Sequence, residues 1–211
     1  RILTEGKATA MERTNAVWTL ARMKFSESAD LIHGALTDPD AGVRQAACNA
    51  ISVTRTWQIV AANQPAERAI ELERNKTLSG ALAGIVRGDE PAPARAAAAA
   101  LGRMAEHRAI GTLTGRLGRA EGDRFLEHSL IYALIEIDDF EATREGLKAE
   151  SPAVLSGVLR ALDQMPSSKL EALDVLPFLE SEDGALRETA LSIAAGRHEW
   201  DAALANAFFS W

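Results

Sequence analysis

The sequence predicts an all-α chain arranged as an α-solenoid, an alpha-alpha superhelix of about six helix pairs across residues 1–211. Composition supports this, because Ala and Leu dominate while Tyr occurs once and β-branched residues are sparse, the opposite of what strands favour. Self-similarity supports it too, since segments of one design recur along the chain. A third observation is that most of these segments open on a helix-start signal.

The recurring segments are ATAMERTNAVWTLARM, DPDAGVRQAACNAISV, EPAPARAAAAALGRM, EGDRFLEHSLIYALIEI, SPAVLSGVLRALDQM and EDGALRETALSIAAGR. With Leu20, Ile51, Leu101, Leu134, Leu162 and Ala194 taken as equivalent, the steps are 31, 50, 33, 28 and 32 residues. One interval therefore carries an insertion, placed at residues 52–75, with Gln64-Pro65 as a break and AERAIELERN as an extra turn or two of charged helix.

Each segment reads as the first helix of a pair. Asp38-Pro39 and Ser151-Pro152 place a capping oxygen ahead of a proline, whose missing N–H costs nothing in the first turn. Ser181, Glu182 and Asp183 put oxygens and charge where a helix dipole favours them. Apolar residues recur at helical spacing, as in Leu126, Leu130, Ala133, Leu134 and Ile137, or Val154, Val158, Leu162 and Met165. Shorter second helices follow at SADLIHGAL, TLSGALAGIV, RAIGTLTGRL, EATREGLK, KLEALDVLPFL and WDAALANAFF, with Pro177 expected to kink or end the fifth. The run Ala96 to Ala100 allows close helix approach, so apolar faces that one pair cannot bury alone are buried by stacking.

The spacing D-P-x-x-x-V-R-x-x-A-x-x-A-I at Asp38, Pro39, Val43, Arg44, Ala47, Ala50 and Ile51 resembles the HEAT-repeat consensus. PAPARAAAAALGRM is a looser version, with Arg95 one place nearer its anchor leucine. That resemblance implies a polar repeat ladder, carried here by Asp38 and Arg44 and more weakly by Arg187, since Glu127 and Leu155 occupy the arginine place elsewhere. The segments also resemble, in the same order, the helical-repeat region of planctomycete-type multidomain proteins. In those, a dehydrogenase-like β-propeller precedes HEAT-like repeats and a c-type cytochrome domain with a CxxCH haem site follows. The resemblance implies the scaffold region of an exported, periplasmic, redox-associated protein. No CxxCH occurs in this chain, so no haem site is carried over.

Charge and chemistry narrow the function. A net charge of −7 disfavours nucleic-acid and anionic-membrane surfaces. No apolar run approaches a membrane span. The chain opens on arginine with no apolar leader segment, and it is expected to be a piece of a longer polypeptide. Cys48 is the sole cysteine, which excludes an internal disulfide, and no base lies near it in sequence, so it is expected to pack as small filler. His33, His107, His128 and His198 lack metal-ligand spacing, and the clustered acids fall at helix junctions, where caps and dipoles account for them. No catalytic, cofactor-binding or metal residue is assigned, and no cofactor is expected.

Candidate protein-interaction residues are Arg108, Arg116 and Arg119, which with Arg103 form the most basic stretch, and the outlying tryptophans Trp57 and Trp211. Trp18 and Trp200 are expected in the packing, and Gly118 and Gly122 at a helix end. The expected function is a non-catalytic scaffold that offers a surface lined by second helices to a protein partner or to flanking domains. Two alternatives are a HEAT-like DNA glycosylase, which requires a basic groove, and a bilin- or haem-handling helper.

Overall fold

The computed structural model describes residues 3, 8–23, 26–54, 65–120 and 122–210, without the side chains of 26–27, 65–71 and 207–210. Six first helices run α1 (Ala10–Arg22), α3 (Ala41–Thr54), α5 (Pro91–Arg103), α7 (Arg124–Ile137), α9 (Pro152–Gln164) and α11 (Gly184–Ala195). Their partners are α2 (Ser26–Gly34), α4 (Pro65–Gly88), α6 (Ile110–Leu117), α8 (Phe140–Arg144), α10 (Ala172–Val175) and α12 (Asp201–Ser210). Among the described residues there is no strand. Consecutive first helices pack on one another from α1 through α11, while α4 packs beside α5 and α6, and α6 beside α7, α8 and α9. The result is an all-α solenoid.

The equivalence read from sequence is one of position as well as spacing. Leu20, Ile51, Leu101, Leu134, Leu162 and Ala194 are each the eleventh residue of their helix. All but Leu20 are buried, and Leu20 packs against the same core. The core is one cluster threading the stack, so each unit borrows its burial from the next, as expected of a solenoid.

Second helices are shorter and tightened by 3-10 turns: Ala35–Thr37 after α2, His107–Ala109 before α6, Glu145–Lys148 after α8, Leu176–Phe178 after α10 and His198–Trp200 before α12. Pro177 sits inside one of these turns, because it lacks the N–H that would continue α10. The exception is α4, 24 residues long. The break expected at Gln64-Pro65 is the start of this helix, and the charged segment after it continues without interruption into TLSGALAGIV. Residues 65–75 of the expected insertion thus lengthen the second helix and residues 52–54 end α3, while residues 55–64, with Trp57, lie outside the described residues.

Two helix starts differ in detail from the sequence reading. Asp40, not Asp38, caps α3, its carboxylate accepting from the Val43 amide at 3.1 Å. Asp38 accepts from the Asp40 amide at 2.9 Å and faces the preceding unit. At α11, where the sequence places acids near the helix N-terminus, Asp183 is the cap, accepting from the Leu186 amide at 2.8 Å. Pro152 is the first residue of α9 as expected, although the Ser151 side chain makes no capping hydrogen bond. Thr9 and Glu12 close α1 with a reciprocal box, Thr9 Oγ1 accepting from the Glu12 amide and Glu12 Oε2 from the Thr9 amide. Gly118 ends α6, and Gly122 takes the left-handed backbone, φ +84°, that favours glycine.

Candidate functional site

The junctions between first helices are polar on one edge. Arg13 is the fourth residue of α1, and its Nε and Nη2 donate to the Asp38 carboxylate at 2.7 and 2.8 Å, while Nη1 donates to the Ala8 carbonyl at 2.7 Å. Arg44 is the fourth residue of α3 and repeats this arrangement one unit on. It donates to Asp89 at 2.5 and 2.6 Å and, through Nη1, to the Asp38 carbonyl at 2.7 Å. The arginines hold the carboxyls of Asp38 and Asp89 below their ordinary range. Arg44 thus meets Asp38 through its backbone, and its carboxylate partner lies 45 residues away.

Beyond α5 the pattern changes. Ala94 occupies the fourth position and is fully buried, while Arg95, one place later, turns outward and lies 5.7 Å from the Phe125 ring centroid. Glu127 takes the fourth position of α7 and accepts from Arg160 of α9 at 2.9 Å, with the charges exchanged between units. Arg160 also donates to Thr189, which shares a 2.8 Å hydrogen bond with Ser156. Arg197 reaches Asp163 at 2.5 Å. Arg187, fourth in α11, donates Nη1 to the Ser181 carbonyl at 2.6 Å, and no carboxylate partner stands beside it among the described residues.

A groove of about 600 Å³ crosses the outer edges of α3, α5 and α7, lined among others by Gln45, Asn49, Arg95, Phe125, His128 and Ser129. Phe125 is 74% exposed, and Tyr132, 49% exposed, stacks on His128 with ring centroids 6.4 Å apart. These residues follow from the pattern of α7. Leu126, Leu130, Ala133, Leu134 and Ile137 take the inward stripe, which leaves Phe125, His128, Ser129 and Tyr132 as a second stripe at helical spacing facing out. Sequence reasoning passed over this signal, two aromatic residues off the buried stripe.

The basic stretch is not presented as a unit. Arg108 pairs with Glu106 at 2.9 Å within a polar cleft of about 200 Å³ between α4 and α6, where Ser79 also donates to Glu106 at 2.6 Å. Arg103 and Arg116 point toward the carbonyls of Ser52 and Asp89 at 3.4 Å, and Arg119 is exposed. Trp211, like Trp57, lies outside the described residues. Trp200 is buried under Arg197, whose guanidinium is 5.1 Å from its ring centroid, and Trp18 is half-buried against the core.

Chemistry of other kinds finds little footing. Cys48 is fully buried, and burial pushes its thiol up to about 12, far from a nucleophile's range. Burial, with Arg74 nearby, pushes His33 down to about 4. Among the described residues no group of three or more His, Cys, Asp or Glu is placed to hold a metal ion. A groove of about 510 Å³ on the outer side of α1, lined by Leu3, Leu20 and Leu31 among others, is apolar and carries no cluster of reactive groups. Among the described residues no helix is long and apolar enough to cross a membrane.

Stacked helix pairs, short second helices and inter-unit arginine–aspartate pairs define the class: a HEAT-like helical-repeat fold. An archaeal HEAT-like repeats protein from Thermococcus onnurineus NA1 is similar in structure, with TM-score 0.52 and 14% sequence identity over 91% of this chain and 76% of that one. An engineered protein aligns over 92% of this chain and 94% of its own, with TM-score 0.49 and 16% identity. No family model matches the sequence, and no curated protein matches it.

Proposed function

We propose that this chain is a protein-binding scaffold, and that the groove across α3, α5 and α7 is where it takes a protein segment. The observation that carries this is Phe125. A 74% exposed phenylalanine, topped by Arg95 and flanked by a His128–Tyr132 stack, sits beside a groove edged with the amides Gln45 and Asn49. Exposed aromatics with arginine are the residue types that anchor protein interfaces, and side-chain amides on the rim offer hydrogen bonds to a peptide backbone. Arg108, Arg116, Arg119, Trp57 and Trp211 remain secondary candidates on the same reading. Resemblance to the repeat region of exported, redox-associated multidomain proteins supports placing the scaffold beside redox domains, in the periplasm. The glycosylase alternative needs a basic groove; the net charge of −7 and the pairing of Arg108 with Glu106 count against it.

The test is selection of binders from a random peptide display library, followed by fluorescence anisotropy of the enriched peptides. Phe125→Ala is expected to weaken them by tenfold or more, as about 1.4 kcal/mol or above at an anchor implies. Its stability should change by no more than about 0.5 kcal/mol, because the ring is exposed. Peptides that bind wild type and Phe125→Ala equally would overturn the reading.

A further inference from the structure

The two ends of the stack are not alike. In the first five first helices, each of which has a further unit stacked on it, the eighth residue is buried: Val17, Cys48, Ala98, Ile131 and Leu159 are at most 7% exposed. The eighth residue of α11 is Leu191, and it is 46% exposed. The third, sixth and tenth positions face the preceding unit, and in α3 they hold the buried Val43, Ala46 and Ala50. In α1 they hold Glu12, Asn15 and Thr19. An apolar residue left open at a stacking position is what continues a repeat array.

Arg187 adds the second observation. Its Nη1 donates to the Ser181 carbonyl six residues back at 2.6 Å, as Arg44 Nη1 donates to the Asp38 carbonyl at 2.7 Å. Arg13 and Arg44 each use their remaining edge on an aspartate lying two or three residues ahead of the next first helix. In α11 that edge faces outward with no acid among the described residues, on the helix that exposes Leu191.

We infer that the outer face of α11 is a docking face for one further helix-pair unit, whose first helix packs on Leu191 and is preceded by an aspartate that Arg187 takes in two hydrogen bonds. A second copy of this chain does not fit. The two and three places ahead of α1 are Ala8 and Lys7, so a copy's lead-in brings no acid to Arg187. The occupant is therefore a separate helical-repeat unit with an acidic lead-in. This face is distinct from the groove holding Phe125, so either site can fail its test without the other.

The probe is a unit that already docks in this way. Residues 37–88, with Asp38, α3 and α4, are appended after Trp211, Cys48→Ala is made in both copies, and Leu191→Cys is introduced as a label site. Reaction with a thiol reagent is expected to slow about a hundredfold relative to the same variant without the appended unit, as burial under a folded neighbour implies. Arg187→Ala in the fused chain should restore about tenfold of that rate, matching a lost charged hydrogen bond. Equal labelling with and without the appended unit overturns the inference, whether or not circular dichroism shows that unit folded. So does concentration-dependent dimerisation of the unfused chain that Leu191→Glu abolishes, since a second copy would then be the occupant.

Discussion

Glu136 shows how one side chain can be placed against its own interest. It sits on α7 against Gly102 of α5, and its Oε2 is buried without a hydrogen-bond partner. Loss of water around the carboxylate raises its pKa, and Arg103 offsets this only in part. A carboxyl whose folded value is raised is penalised once ionised, so its contribution to stability is favourable below its unfolded value and falls as pH rises through the folded one. Glu136→Gln is therefore expected to stabilise the protein at pH 7, with the advantage shrinking as the pH is lowered toward 4.5, measured by urea unfolding across that range. None of this is visible in the sequence, where Glu136 is one acid among many. By contrast, the fate of Cys48 was legible, because its neighbours Ala46, Ala47 and Ala50 already mark a closely packed face. The capping of α3 was misread by two residues, since Asp38 and Asp40 flank Pro39 and either could cap. What decides between them is Arg13, which takes Asp38 for another purpose.

At the level of the helix, the close approach of α5 to α7 reverses an ordinary rule. Exchanging a glycine inside a helix for alanine usually gains about 0.5–1 kcal/mol. A Cβ at Gly84 of α4 meets nothing within 4 Å, so Gly84→Ala is expected to gain about that amount. A Cβ at Gly102 would lie 3.0 Å from the Ala133 Cα and 2.7 Å from Glu136 Oε2, and the backbone cannot move aside as a side chain can. Gly102→Ala is expected to cost about 1–3 kcal/mol. Thermal unfolding of the two variants, side by side, checks the opposite signs. The six first helices were legible because start signals, apolar period and anchor residues agree with one another. The length of α4 was not, because its charged first half lacks an apolar stripe and so reads as a break beside Pro65. The outward stripe on α7 was available in the sequence once the inward one had been assigned.

For the molecule as a whole, the stack is held by its shared core and by polar pairs that link units 25 to 45 residues apart, such as Arg13–Asp38 and Arg44–Asp89. The acid partners could be recognised as acids from sequence, but which arginine each one serves depends on the stacking order. These groups make stability acid-sensitive in two stages. Burial lowers His33 from 6.5 to about 4, so its favourable neutral form is present above 6.5 and lost as pH falls toward 4. Asp38 and Asp89 are lowered from 3.8, so their contribution persists through that window and disappears below it. The urea midpoint is expected to decline from about pH 6.5 and more steeply below about pH 4. His33→Gln should flatten the upper stage and Asp89→Ala the lower. Arg44→Ala should cost about 2 kcal/mol at neutral pH, by removing charged hydrogen bonds from a half-buried acceptor.

The constant eleventh position has a consequence for how such a chain can change. Six anchors keep one place in helices of 12 to 14 residues, while the partner helices range from 4 residues in α10 to 24 in α4. One side of the stack therefore acts as a fixed ruler and the other as a free margin. Residues can be added or removed along the margin without disturbing the graduations of the ruler, so new contours can be shaped on the second-helix side while the spine of first helices keeps its count.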